Sequence, residues 1–233
     1  HSRHSFPTRR SSDLHHHLKA LLHGSLSGQA GAEALLRVIT GKVNPSGKLA
    51  ETCLRRYEDT PSYHYFPAQE RNSEYREGIY VGYRYFDTAG IPVTYPFGYG
   101  LSYTEFSYRE LQVNPEGVSF ILKNTGSRDG AEVAQLYVGL PEAKVFRPVK
   151  ELKGFCKVFL KAGEEKRVEI PFDDKTFRYW NVKTNRWETE EGNYRIMIGA
   201  SVEDIRLEDY LMVKGTTEVM PYYTNRVPSY FKG

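Results

Sequence analysis

Cysteine and tryptophan are both scarce. The 233 residues hold two of each: Cys53 and Cys156, Trp180 and Trp187. The cysteines lie far apart, and neither belongs to a C-x-x-C pair or a His-rich ligand set. This excludes a disulfide-stapled scaffold and a zinc-ribbon type of site. The expectation is two buried or half-buried free thiols, and with it a reducing, cytoplasmic compartment. Net charge is also small, at +3. The first fourteen residues, HSRHSFPTRRSSDL, carry three Arg and one Asp, so two of those three charges belong to them. The rest is close to neutral, which argues against a nucleic-acid partner. No run of 18 apolar residues occurs, so no helix is expected to span a membrane. The one Asn-x-Ser/Thr spacing, Asn44-Pro45-Ser46, is excluded as a glycosylation acceptor by its proline.

What the chain does have is tyrosine and glycine. Aromatics make up 14% of it, including 18 Tyr, and there are 20 Gly. Residues 1–17 mix His, Arg, Ser and Pro without a period and are expected to be a non-native leader; His15, His16 and His17 are adjacent and read as its edge rather than as metal ligands. From Leu18 the pattern becomes orderly. LKALLHG reads as a buried strand ending at Gly24. AEALLRVITG places Ala32, Leu35, Leu36 and Ile39 on one helical face, with Gly41 where a C-terminal glycine cap belongs. A strand–loop–helix unit of this kind cannot bury its own sheet, so it reads as the end of a larger α/β domain. EGIYVGYRYFD, rich in aromatic and β-branched residues, reads as strand-like.

From Phe106 onward short apolar runs alternate with turn signals. VSFILKN, AEVAQLYVGL, KELKGFCKVFL, EKRVEIPF, FRYWNV, WETEEGNYRIMIGAS and IRLEDYLMVK are separated by Asn124-Thr125-Gly126, Ala162-Gly163-Glu164 and Glu191-Gly192-Asn193. That spacing predicts an antiparallel sandwich of the immunoglobulin or fibronectin III type. The fold class is therefore mainly β, a sandwich preceded by a partial α/β remnant. The expected division is a leader at 1–17, a remnant plus linker at 18–100, a fibronectin III-like domain at 101–215 and a tail at 216–233.

The candidate chemistry is thin. Carboxylates for a glycosidase pair are numerous between the helix and the sandwich: Glu51, Glu58, Asp59, Glu70, Glu74, Glu77 and Asp87. Polar surroundings mark most of them as ordinary solvated acids. His23 and His64 are the histidines in orderly sequence, and no G-x-S-x-G elbow accompanies them. Gly24, Gly28 and Gly31 match neither the dinucleotide nor the Walker spacing and are expected to let the helix start pack closely. The aromatics of YREGIYVGYRYF and YPFGYGLSYTEF could stack on sugars, but they are expected to fill a seam between domains, with Phe97, Tyr99 and Tyr103 in the joint. An exposed, planar row including Trp180 and Trp187 would favour a stand-alone carbohydrate-binding module instead.

Several long motifs in order carry a resemblance. GQAGAEALLRVITGKVNPSGKLAET, EGIYVGYRYFD and YPFGYGLSYTEFSY resemble the C-terminal part of glycoside hydrolase family 3, the β-glucosidase family. VKELKGFCKVFLKAGEEKRVEIPF, WNV and GNYRIMIGAS resemble the fibronectin III-like domain that ends many of its members. The resemblance covers about residues 18 to 214. It implies a three-part retaining glycosidase: a barrel supplying an Asp nucleophile, an α/β sandwich supplying a Glu acid/base, and the fibronectin III-like domain. It implies no metal or organic cofactor, and a small β-glucoside or oligosaccharide as substrate. β-Xylosidase and arabinofuranosidase specificities belong to the same family. The barrel and the segment carrying the acid/base lie outside the motifs found, so no catalytic residue is carried over. Glu33 and Glu51 match framework motifs. The absent barrel would be the chain's intramolecular partner, and the chain by itself is expected to be inactive.

Overall fold

Residues 18–68 and 71–221 are described by the computed structural model. His15–His17, Glu70 and most of the tail lie outside them. Helix α1 (Gly31–Ile39) forms where the apolar period places it. Thr40 caps it, and Gly41, at φ +70°, returns its N–H to the Val38 carbonyl. Gly31 opens the helix against the Ser27 side chain, where any Cβ would collide. LKALLHG, by contrast, forms no strand: Leu18, Leu21 and Leu22 are exposed. A strand needs a neighbour for its backbone hydrogen bonds, and none of the described strands lies beside this segment.

β1 (Cys53–Leu54) pairs with β2 (Val93–Tyr95). Between them EGIYVGYRYFD departs from the strand expectation. It holds helix α2 (Tyr83–Ala89), bracketed by Gly82 at φ +56° and Gly90 at φ +67°. The glycines set the boundaries, and tertiary packing overrides the strand propensity of the tyrosines. The helical turn sends Tyr83 to one side and Tyr85 and Phe86 to another. Tyr85 and Phe86 join Tyr80 and Val93 in a small core of the remnant.

Nine further strands follow. They are β3 (Phe106–Asn114), β4 (Gly117–Asn124), β5 (Gly130–Gly139), β6 (Glu151–Leu160) and β7 (Glu165–Pro171), then β8 (Arg178–Asn181), β9 (Arg186–Thr189), β10 (Gly192–Gly199) and β11 (Ile205–Val213). A four-stranded sheet in the order β11-β10-β5-β6 faces a three-stranded sheet β3-β4-β7, and β8 and β9 form a separate ribbon. All these pairings are antiparallel. The predicted sandwich is therefore present, and each quoted run falls on a strand except WETEEGNYRIMIGAS, which covers two, β9 and β10.

Alternation along the strands builds the core. Phe120 and Leu122 of β4 meet Ala134, Leu136 and Val138 of β5 and Ile196 and Ile198 of β10, all buried. Each Phe, Leu, Val or Ile among them contributes about 1.5–3 kcal/mol of transfer free energy. β5 is unusual because its other face is buried too. Gln135 and Tyr137 point away from that core and are nevertheless covered. What covers them is the remnant.

Candidate functional site

The seam is built outward from β5. Tyr137 and Met197 of the four-stranded sheet pack with Tyr83 of α2, Phe97 and Val202. Tyr83 and Phe97 rings lie 4.7 Å apart at 31°, and Tyr83 meets Tyr137 edge-on at 6.1 Å. The Tyr83 hydroxyl accepts the Leu152 N–H at 2.8 Å. Gln135 donates from Nε2 to the carbonyls of Gly98 and Ala200, and Tyr137 donates its hydroxyl proton to Gln135 Oε1 at 2.6 Å. Burial pushes the Tyr137 phenol far above its ordinary value, so it remains a neutral donor.

Gly98 is where YPFGYG needs its glycine. Its φ is +79°, and a Cβ there would overlap the Gln135 amide. Tyr103 sits at the rim, 45% exposed, donating to the Val38 carbonyl. Tyr99 stacks on Tyr95 at 5.6 Å. Of the three aromatics expected to fill the joint, Phe97 does so, Tyr99 lines its edge and Tyr103 bridges to α1. Two ion pairs close the seam: Lys48 to Glu132 at 2.9 Å and Lys150 to Asp87 at 3.3 Å.

An open cleft of about 550 Å³ lies beside the seam, lined among others by Glu51, Thr52, Glu77, Tyr83, Arg84 and Phe97. It brings together two of the seven candidate carboxylates, Glu51 and Glu77. The other described candidates are placed elsewhere or engaged. Asp59 holds Arg56, Glu74 pairs with Arg76, Asp87 pairs with Lys150, and Glu58 is exposed in a short 3-10 turn. Burial raises the Asp87 carboxyl above its usual value, with Lys150 opposing. The cleft wall is mostly apolar, from Leu54, Val81, Phe86, Phe97 and Leu152, with acids, hydroxyls and a guanidinium set among them. Thr52 Oγ1 and Arg84 Nε are buried there without hydrogen-bond partners. Glu51, Glu77, Tyr83 and Phe97 are sequence candidates, but their convergence with Thr52 and Arg84 carries no signal, because only folding brings segment 50–62 against α2 and β6.

The remaining candidates are dispersed. His23 is exposed, and His64 lies edge-on to Tyr63 at 5.0 Å. Glu33 is on the exposed face of α1. Both cysteines are free thiols. Among the described residues no cluster of three His, Cys, Asp or Glu could hold a metal ion, and no helix is long and apolar enough to cross a membrane. Trp180 and Trp187 are exposed, facing each other across the β8–β9 ribbon.

A fibronectin III-like sandwich clamped to the end of an α/β domain, with a cleft at the clamp, defines the C-terminal architecture of a multidomain enzyme. The chain belongs to glycoside hydrolase family 3. Residues 5–83 match the glycosyl hydrolase family 3 C-terminal domain, and residues 132–202 match the fibronectin type III-like domain. The first match begins ahead of Leu18. The chain is 44% identical over 215 residues to thermostable β-glucosidase B of Acetivibrio thermocellus, covering 89% of this chain and 28% of that protein. It is also 44% identical to an exo-α-(1→6)-L-arabinopyranosidase of Bifidobacterium breve, over 87% of this chain and 28% of that one. The crystal structure of the Bifidobacterium adolescentis family 3 β-glucosidase superposes with a TM-score of 0.78 at 42% identity, covering 83% of this chain and 29% of that one. The chain thus spans less than a third of the length of these relatives.

Proposed function

We propose that this chain is the C-terminal portion of a retaining β-glucosidase-like hydrolase that removes terminal β-D-glucosyl residues from small glucosides or oligosaccharides in the cytoplasm. The observation that carries this reading is the identity to β-glucosidase B, spread over most of the chain. In this reading residues 18–100 are the end of the α/β sandwich domain, 101–215 the fibronectin III-like domain and 216–233 a tail. The nucleophile and the acid/base come from outside the chain, and no residue here is catalytic. Retaining hydrolysis needs two carboxyls facing each other across the scissile bond. The cleft is lined by Glu51 and Glu77, and of the other described candidates Asp59, Glu74 and Asp87 are held in ion pairs and Glu58 is exposed. The chain's task is mechanical: β5, covered on both faces, holds the sandwich rigidly to the remnant. The intramolecular partner is the barrel domain.

The arabinopyranosidase relative supports a second reading, in which the parent removes a pentopyranosyl group instead. Nitrophenyl glycosides separate the possibilities. The chain alone is expected to release no nitrophenol from the β-D-glucoside above a heat-killed control. Joined to its barrel domain, it should hydrolyse the β-D-glucoside faster than the α-L-arabinopyranoside. Turnover by the chain alone would overturn the assignment of the catalytic groups. Preference for the arabinoside would overturn the sugar.

A further inference from the structure

We draw no further inference here: the strongest candidate, the exposed Trp180–Trp187 corner on the β8–β9 ribbon, is an aromatic face flanked by charges of both signs, and nothing in the structure shows what covers it.

Discussion

Lys48 Nζ lies 2.9 Å from Glu132 Oε1, with the two side chains 12% and 8% exposed. Lys48 belongs to the segment after α1, and Glu132 to β5. The same ammonium also donates to the Gly100 carbonyl at 3.0 Å, so one cation ties the remnant, the linker and the sandwich together. Charges this deeply placed have lost most of their hydration, and their net contribution is small only while both are present. Lys48→Met should therefore strand the Glu132 carboxylate and cost about 3 kcal/mol in urea unfolding. Lys48→Met combined with Glu132→Gln should recover most of that. A loss under about 0.5 kcal/mol in the single variant would show that the pair behaves as an ordinary surface bridge.

Gly98 and Gln135 make the second clamp, and here the backbone is the constraint. Gly98→Ala places a methyl in a left-handed conformation and against the Gln135 amide. The expected cost is about 2 kcal/mol, combining strain with displacement of a buried hydrogen-bonded amide. Tyr137→Phe leaves Gln135 Oε1 short of its donor and should cost about 1–2 kcal/mol. Calorimetric melting measures both. A Gly98→Ala variant melting with the parent chain would mean that the seam relaxes around the methyl.

How far these features can be read in the sequence depends on their range. The sandwich strands announce themselves because each carries its own alternation, as in Val118, Phe120 and Leu122. Helix α1 does so through its 3.6-residue period. LKALLHG misleads because a strand exists only beside another strand, and its leucines stay in water here. EGIYVGYRYFD misleads because its tyrosines favour strands, while the glycines at 82 and 90 punctuate a helix. Lys48–Glu132 and Gln135–Gly98 join residues 84 and 37 positions apart, respectively. Nothing local marks such partners. Nothing in the sequence sets Trp180 opposite Trp187 or fixes the 75° between their rings.

Asp87 gives the seam a pH dependence of definite sign. Burial raises its carboxyl above the ordinary value, Glu203 adds to the effect, and Lys150 opposes it. A carboxyl that holds its proton more tightly in the folded chain contributes stability that is full below its unfolded pKa. That contribution is lost as pH rises through the folded value. The stability of the natural chain minus that of Asp87→Asn should therefore fall as pH is raised from ~4 to ~7. Urea unfolding across that window measures the difference. A difference that grows with pH would mean that Lys150 outweighs burial.

The thiols offer a check on the covalent state. Cys53 pairs with Tyr95 in the small β1–β2 sheet, and Cys156 lies on β6 opposite Ala134. Both are half-buried and free. Burial, with Glu51 nearby, pushes the Cys53 thiol above its ordinary value. Less of it is thiolate at neutral pH, and the thiolate is the reacting form. An aromatic disulfide reagent added to protein purified without reductant should therefore titrate two thiols per chain in denaturant. Under native conditions Cys53 should react more slowly than in denaturant, and Cys53→Ser should remove that slowed phase. Recovery of no thiol in denaturant would show an intramolecular bridge, and equal rates in the native and denatured states would show that the fold does not protect Cys53.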